Sequence, residues 1–245
     1  LQQVWAGIGD RVSRLDLPEP DVVVVPGVRW GRPEVPLTPA YWAVRCKWGE
    51  ADSSFVTPTG SLLEEVAFCL LGGFGISYEI NAAAFERLKV EGAFDPRRTR
   101  DDGWFLDQLT RPLNIGARAV RYRFPRQRAR RLAQMGDRLA DIDLDRLDAL
   151  RLRERLLTLE GVGPKTASWI VRNLLGSDEV AILDVHILRA CRAMSVFPAK
   201  VSLPRDYSAL ERRFLAFADA IAVRASVLDA VMWVEMRQSA HAAAR

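Results

Sequence analysis

The residue types best suited to chemistry gather between Leu156 and Met194, in LLTLEGVGPKTASWIVRNLLGSDEVAILDVHILRACRAM. At its centre Gly161-Val162-Gly163 separates two short helical patterns. Glycines there allow a tight hairpin whose backbone amides can approach a phosphate closely, because no Cβ stands in the way. Such a grip positions a nucleic acid without reading its sequence. Lys165 falls in the first turn of the following helix and is one of four lysines in the chain, with Lys47, Lys89 and Lys200. Taken alone it is a solvated first-turn lysine, here placed next to a phosphate-binding hairpin. Asp184, about twenty residues on, stands immediately ahead of an apolar helix and makes a good N-cap.

A second feature is electrostatic. Arg111 to Arg131, RPLNIGARAVRYRFPRQRARR, holds eight arginines and no acid, interleaved with Tyr122 and Phe124. Arginine forks suit phosphate, so the stretch reads as a candidate nucleic-acid face. The chain's preference for arginine, 31 of its 35 basic residues once the four lysines are set aside, explains Arg over Lys but not the missing acids.

The hairpin Leu159-Glu160-Gly161-Val162-Gly163-Pro164-Lys165-Thr166-Ala167, followed by Leu183-Asp184-Val185-His186, resembles the helix–hairpin–helix DNA glycosylase superfamily that includes endonuclease III and the 8-oxoguanine DNA glycosylases. Arg121-Tyr122-Arg123-Phe124-Pro125 and the helix from Leu228-Asp229 to Trp233 are similar to the archaeal-type 8-oxoguanine enzymes. The resemblance spans roughly residues 61–237 and leaves residues 1–60 without a counterpart.

The resemblance implies a bifunctional glycosylase and lyase acting on duplex DNA. Lys165 would be the nucleophile at the sugar C1′, forming a Schiff base that leads to strand cleavage by β-elimination. Its amine must be neutral to attack, which asks for a desolvated pocket. Asp184 would stabilise positive charge on the sugar and assist proton transfers, a role compatible with capping. A lesion must be flipped out before it can react, so a wedge and a stacking surface are needed. Trp169, at i+4 from Lys165, is either a stacking partner or a core residue. Phe74, in Gly72-Gly73-Phe74-Gly75, is either the inserted wedge or an apolar residue at a helix junction. Gly161, Gly163, Thr166, His186, Arg123 and Arg126 are assigned to the DNA backbone, and Gln238, with His241 beyond it, to base edges. No cofactor is required, and a structural monovalent cation at the hairpin is the one ion the resemblance implies. The expected target is 8-oxoguanine. The alternatives are the same chemistry on another modified base, or a non-catalytic DNA-binding protein that keeps the hairpin as a phosphate clamp.

These residues need a rigid helical frame. Ser61-Leu62-Leu63-Glu64 matches a capping box opening a helix through about Leu71. Further helices are predicted at about 78–90, 102–109, 126–140, 151–159, 165–175, 185–195, 206–222 and 226–237, with Pro125 first in its helix. The expected fold is mainly α: a two-lobed helical core over 61–245 with the hairpin motif at 151–175. Residues 1–60 are dense in proline and show little helical periodicity, so a short extended or β-containing segment is expected.

Composition sets the outer bounds. The 245 residues, 49% hydrophobic and 27% charged, have the balance of a globular protein with a substantial core. The net charge is +4 and the pI about 9.2, mildly favourable to an anionic partner. Three cysteines, Cys46, Cys69 and Cys191, are too few and too scattered for a four-cysteine iron–sulfur or zinc site. No cysteine follows Cys191, which favours the 8-oxoguanine branch over the cluster-bearing endonuclease III branch, while Lys165 disfavours the adenine-excising branch. The archaeal-type enzymes end with a base-reading terminus soon after the last helix, whereas this sequence runs on from Gln238 to Arg245. No apolar run approaches the roughly 20 residues of a membrane helix, and the opening LQQVWAGIGD lacks the pattern of a secretory signal. A cytoplasmic, nucleoid-associated monomer is the expectation.

Overall fold

The computed structural model describes residues 1–8, 11–49, 60–95, 97 and 100–242, and among them are ten α-helices and six short strands. The chain divides into two compact units, Leu1–Thr57 with Val171–Arg245, and Pro58–Ile170.

The second unit is helical apart from one hairpin. Helix α2 (Leu62–Leu71) opens with the expected capping box, Ser61 accepting the Glu64 N–H and Glu64 reaching back to the Ser61 N–H. Helix α3 (Tyr78–Val90) is capped by Ser77 and α4 (Asp102–Thr110) by Asp101. Next come β5 (Leu113–Ile115) and β6 (Arg118–Val120), an antiparallel pair turned by Gly116, whose φ of +56° suits the tight connection. Helix α5 (Pro125–Leu139) buries Arg128, Ala129, Leu132, Met135 and Leu139, the i, i+3/i+4, i+7 stripe that ties a helix to a core, and packs on α2 and α4. Helix α6 (Ala149–Leu157) buries Ala149, Leu152 and Leu156 in the same way. Helix α7 (Pro164–Leu175) completes the hairpin motif, its residues up to Ile170 in this unit and those from Val171 in the first.

The first unit joins the two ends of the chain. Strands β1 (Gln2–Ile8) and β2 (Arg11–Leu17) pair antiparallel, as do β3 (Val23–Val25) and β4 (Val28–Arg29). Helix α1 (Pro39–Gly49) follows, then α8 (Val185–Ala193), α9 (Tyr207–Ala220) and α10 (Ala225–Ala242). One core takes Leu17, Val28, Trp30 and Trp42 from the N-terminal segment together with Leu183, Ile187, Phe214, Phe217 and Leu228. Each fully buried side chain of this kind contributes about 1.5–3 kcal/mol. Tyr41 and Arg45 of α1 both donate to Glu235 of α10.

Two details differ from the sequence expectation. The proline-dense N-terminal stretch holds a helix as well as strands: Thr38 accepts the Tyr41 N–H at 3.1 Å, Pro39 takes the first helical position, and Ala40, Trp42, Ala43, Val44 and Cys46 are buried. The last helix does not stop near residue 237 but continues to Ala242, because no Gly or Pro interrupts and alanine favours helix.

Candidate functional site

In the second unit the hairpin forms as its residues dictate. Thr158 ends α6, and Leu159 and Val162 are buried, joined by a Val162 N–H to Leu159 C=O bond of 3.1 Å. These two anchors leave Glu160, Gly161 and Gly163 facing solvent. Gly161 has φ +91°, the left-handed region open to glycine, and a methyl built on it would meet the Arg131 side chain at 2.8 Å. Pro164 takes the first position of α7, where its missing N–H would have had no helical partner. The first-turn amides of Lys165 and Thr166 remain directed out of the helix end, the geometry that receives an anion.

Lys165 is exposed on that turn and forms no hydrogen bond or ion pair among the described residues. It therefore does not sit in a desolvated pocket in the free protein. Its neighbourhood includes α2: burial pushes the Cys69 thiol up, with Glu65 adding and the Lys165 charge opposing, so both charges act on Cys69. Glu65 is completely buried, and no pattern in the sequence singles it out. Thr166 and Trp169 are half-buried on the same helix.

For Phe74 the core reading does not hold. The side chain is 97% exposed, so it is not a core residue. It tips the loop between α2 and α3, where Gly73 and Gly75 take φ +114° and +80° and the Ile76 N–H closes a turn on the Gly73 carbonyl at 3.1 Å. The foot of the loop is fixed from the arginine-rich stretch. The Tyr122 hydroxyl donates to the Leu71 carbonyl, and Arg128 donates to the Gly72 carbonyl at 2.8 Å. Arg123 lies against Gly75 and over the Phe124 ring, its guanidinium 5.1 Å from the ring centre.

The eight arginines of that stretch do not form one face. Arg128 is buried, Arg111 pairs with Asp107, and Arg130 and Arg131 both engage Glu160 of the hairpin, at 2.5 and 3.3 Å. Arg118, Arg121, Arg123 and Arg126 stay exposed without an acid partner among the described residues. The sequence shows an acid-free run; the acids that neutralise part of it arrive from elsewhere in the chain.

In the first unit Asp184 caps α8, one oxygen accepting the N–H groups of His186 at 2.8 Å and Ile187 at 3.0 Å. Its other oxygen accepts no hydrogen bond among the described residues. The approach to Asp184 is buried and held by side chains at three successive amides. Glu211 accepts from Ala181 at 3.0 Å, Asp229 from Ile182 at 3.2 Å, and the Tyr207 hydroxyl from Leu183 at 3.3 Å while donating to the Ala181 carbonyl at 2.7 Å. Asp229 is also paired with Arg172 in the interior. Burial pushes the Asp229 carboxyl up to about 7, opposed by Arg172 and the Ile182 N–H and reinforced by Asp184. Sequence reading assigned no role to Arg172, Asp229, Glu211 or Tyr207; polar residues inside otherwise apolar helical stretches are the signal that could have found them.

His186 is half-buried beside Asp184, its Nδ1 buried without a partner among the described residues. Its ring meets Trp233 edge-on at 6.4 Å, and Arg237 lies over the same indole at 5.0 Å. Trp233 keeps 37% of its surface exposed, an aromatic face on the Asp184 side of the unit that the sequence reading did not assign. Gln238 is exposed on α10 itself rather than on a tail beyond it, and the His241 side chain lies outside the described residues. No group of three or more His, Cys, Asp or Glu is arranged to hold a metal ion among the described residues. No helix among them is long and apolar enough to cross a membrane.

A glycine hairpin between two short helices, set in an otherwise helical frame, defines a helix–hairpin–helix protein. The chain belongs to the Ogg-HhH family, 8-oxoguanine DNA glycosylase, which it matches over residues 55–223. It is 35% identical over 122 residues to the 8-oxoguanine DNA glycosylase/AP lyase of Metallosphaera sedula, a match covering 46% of this chain and 57% of that protein. The chain thus spans little more than half the length of that curated relative. Its fold is similar to the 8-oxoguanine DNA glycosylase of Thermotoga maritima, with TM-score 0.54, 24% identity, and 78% and 85% of the two chains covered. The enzyme of Methanocaldococcus jannaschii is similar at TM-score 0.51 and 25% identity, over 80% and 84%.

Proposed function

We propose that this chain excises 8-oxoguanine from duplex DNA and then cleaves the strand by β-elimination. The observation that carries the reading is Lys165: a primary amine without an acid partner among the described residues, in the first turn behind a hairpin suited to phosphate, in a chain of this family. The amine attacks C1′ as the bond to the base breaks and the base leaves with a proton; the attached nitrogen then loses a proton, the C1′–O4′ bond breaks with O4′ taking up a proton, and the opened sugar is left as the Schiff base. Asp184, with one oxygen held by the α8 amides and the other open, faces the positive charge that develops on the sugar. Duplex DNA lying across the exposed first turn supplies the desolvation that Lys165 lacks in the free protein.

Phe74 fills the gap left by the flipped base, and the exposed Arg123 beside its loop, with Arg126, takes phosphate. Gly161, Gly163, Thr166 and His186 follow the backbone, while Trp169 offers a ring face to the base and Gln238 a polar edge. The hairpin presents backbone carbonyls while its acid, Glu160, is engaged by Arg130 and Arg131. Backbone carbonyls of the hairpin would hold a monovalent cation, which would supply positive charge toward phosphate, and the reaction itself asks for no cofactor. The catalytic body is assigned to residues 61–245, with residues 1–60 bracing the helices that carry Asp184 through their shared core. The enzyme acts as a monomer in the cytoplasm, on the nucleoid.

The test is a panel of duplexes, each carrying one altered base. Release of 8-oxoguanine with nicking at its site is the expected result. Preferential release of another base would replace the substrate, and binding without any excision would leave only the phosphate-clamp reading.

A further inference from the structure

Three consecutive peptide groups lead into Asp184, and each gives its N–H to a different buried side chain. Ala181 is held by Glu211 and Leu183 by Tyr207, both on α9, while Ile182, facing the other way in the extended chain, is held by Asp229 on α10. Val180, Ala181 and Leu183 are completely buried, so these amides have no water to turn to. The segment turns at its end through a 3.1 Å bond from the Asp184 N–H to the Ile182 carbonyl. Asp229 therefore holds the N–H of the residue whose carbonyl receives the Asp184 amide.

We propose that Asp229 is a positioning residue for Asp184, fixing its carboxylate through Ile182, with Tyr207 and Glu211 holding the flanking amides. The inference rests on the catalytic reading of Asp184 given above. Neither Asp229 nor its partner Arg172 approaches solvent, so neither is placed to touch DNA. Their effect has to pass through the backbone. A carboxylate accepts from both Arg172 and Ile182 at once; a protonated carboxyl has less acceptor capacity and a proton of its own to place. The charged groups that face Asp229 are Arg172 on α7 and Asp184 at the head of α8, with Glu211 of α9 on the neighbouring amide. Burial and the Asp184 charge both favour the protonated form, and Arg172 opposes them. Uptake of a proton at Asp229 on the acid side slackens the hold on Ile182, and excision slows.

The test compares the parent with Asp229→Asn, Tyr207→Phe and Asp184→Asn on an 8-oxoguanine duplex. Excision is followed in the steady state and in single turnovers from about pH 5 to 9 and normalised to molecules able to react. A misplaced Asp184 costs turnover rather than affinity, so Asp229→Asn is expected to lower kcat by about 10- to 100-fold with KM and duplex affinity unchanged. The acid limb of the pH profile is expected to vanish in the same variant. Tyr207→Phe, which keeps the buried ring and all charges, is expected to lower kcat in the same manner to a smaller extent. It decides the matter if Asp229→Asn does not fold. Parental kcat per active molecule and a parental acid limb in the folded variants would overturn the positioning role. Parental excision by Asp184→Asn would instead overturn the reading of Asp184 on which it rests.

Discussion

Arg128, one turn into α5, donates to the carbonyl of Gly72 at 2.8 Å and so fixes the foot of the loop whose tip is Phe74. A buried arginine from the most basic stretch of the chain is thus spent on holding a loop, not on meeting phosphate. The neighbouring Tyr122 does the same for Leu71, its phenol pushed up to about 12 by burial with Arg128 opposing, so that it stays a neutral donor. Tyr122→Phe leaves the Leu71 carbonyl without this donor and is expected to lower stability by about 1–3 kcal/mol in denaturant titration, with the slope of the transition unchanged. An unchanged midpoint would mean that the loop is not fastened there.

Phe74 packs against nothing that its removal would disturb. Phe74→Ala is expected to keep the stability of the parent within about 0.5 kcal/mol. Excision from duplex should fall, while excision from a single strand, which has no stack to hold open, should not. Equal losses on both substrates would contradict a wedge.

Gly161→Ala combines a left-handed φ with a methyl directed at Arg131. It is expected to cost about 1–2 kcal/mol of stability. Because the hairpin amides move, duplex affinity should weaken similarly for all sequences, as expected of a contact that positions without specifying. A change in affinity confined to lesion-bearing DNA would place the hairpin in recognition instead.

Asp178 gives a pH prediction. Burial would raise its carboxyl, but hydrogen bonds from Ser226 and Arg224 outweigh it and hold the group below its ordinary value. A carboxyl lowered in the folded state contributes stability above its unfolded value and loses it as pH falls through the folded one. The melting temperature should therefore drop as the pH passes below 3.8, the ordinary value, and Asp178→Asn should flatten that part of the curve. A variant as acid-sensitive there as the parent would contradict the assignment.

What was legible in the sequence was local. The Gly161 hairpin, the Ser61 capping box and the Asp184 cap are each decided within a few residues, and all three stand where the sequence placed them. Helix α1 was hidden because seven prolines in the first 60 residues mask the short run that forms it. The arginine-rich stretch was misjudged as a single face because Glu160, which binds Arg130 and Arg131, lies about thirty residues away. Asp229 and Ile182 are 47 residues apart, and no periodicity in either segment points to the other. The shared core of Trp30, Trp42 and the C-terminal helices is nonlocal in the same way. Sequence pattern names the groups that do chemistry; the partners that hold them come from distant segments.

Lys165, acting as the nucleophile, is exposed to capture by borohydride reduction during reaction with an 8-oxoguanine duplex. The parent is expected to give a covalent protein–DNA complex, and Lys165→Gln none, with most of its duplex binding retained. A complex formed as readily by Lys165→Gln, or none formed by the parent on either lesion-bearing or abasic duplex, would contradict the account.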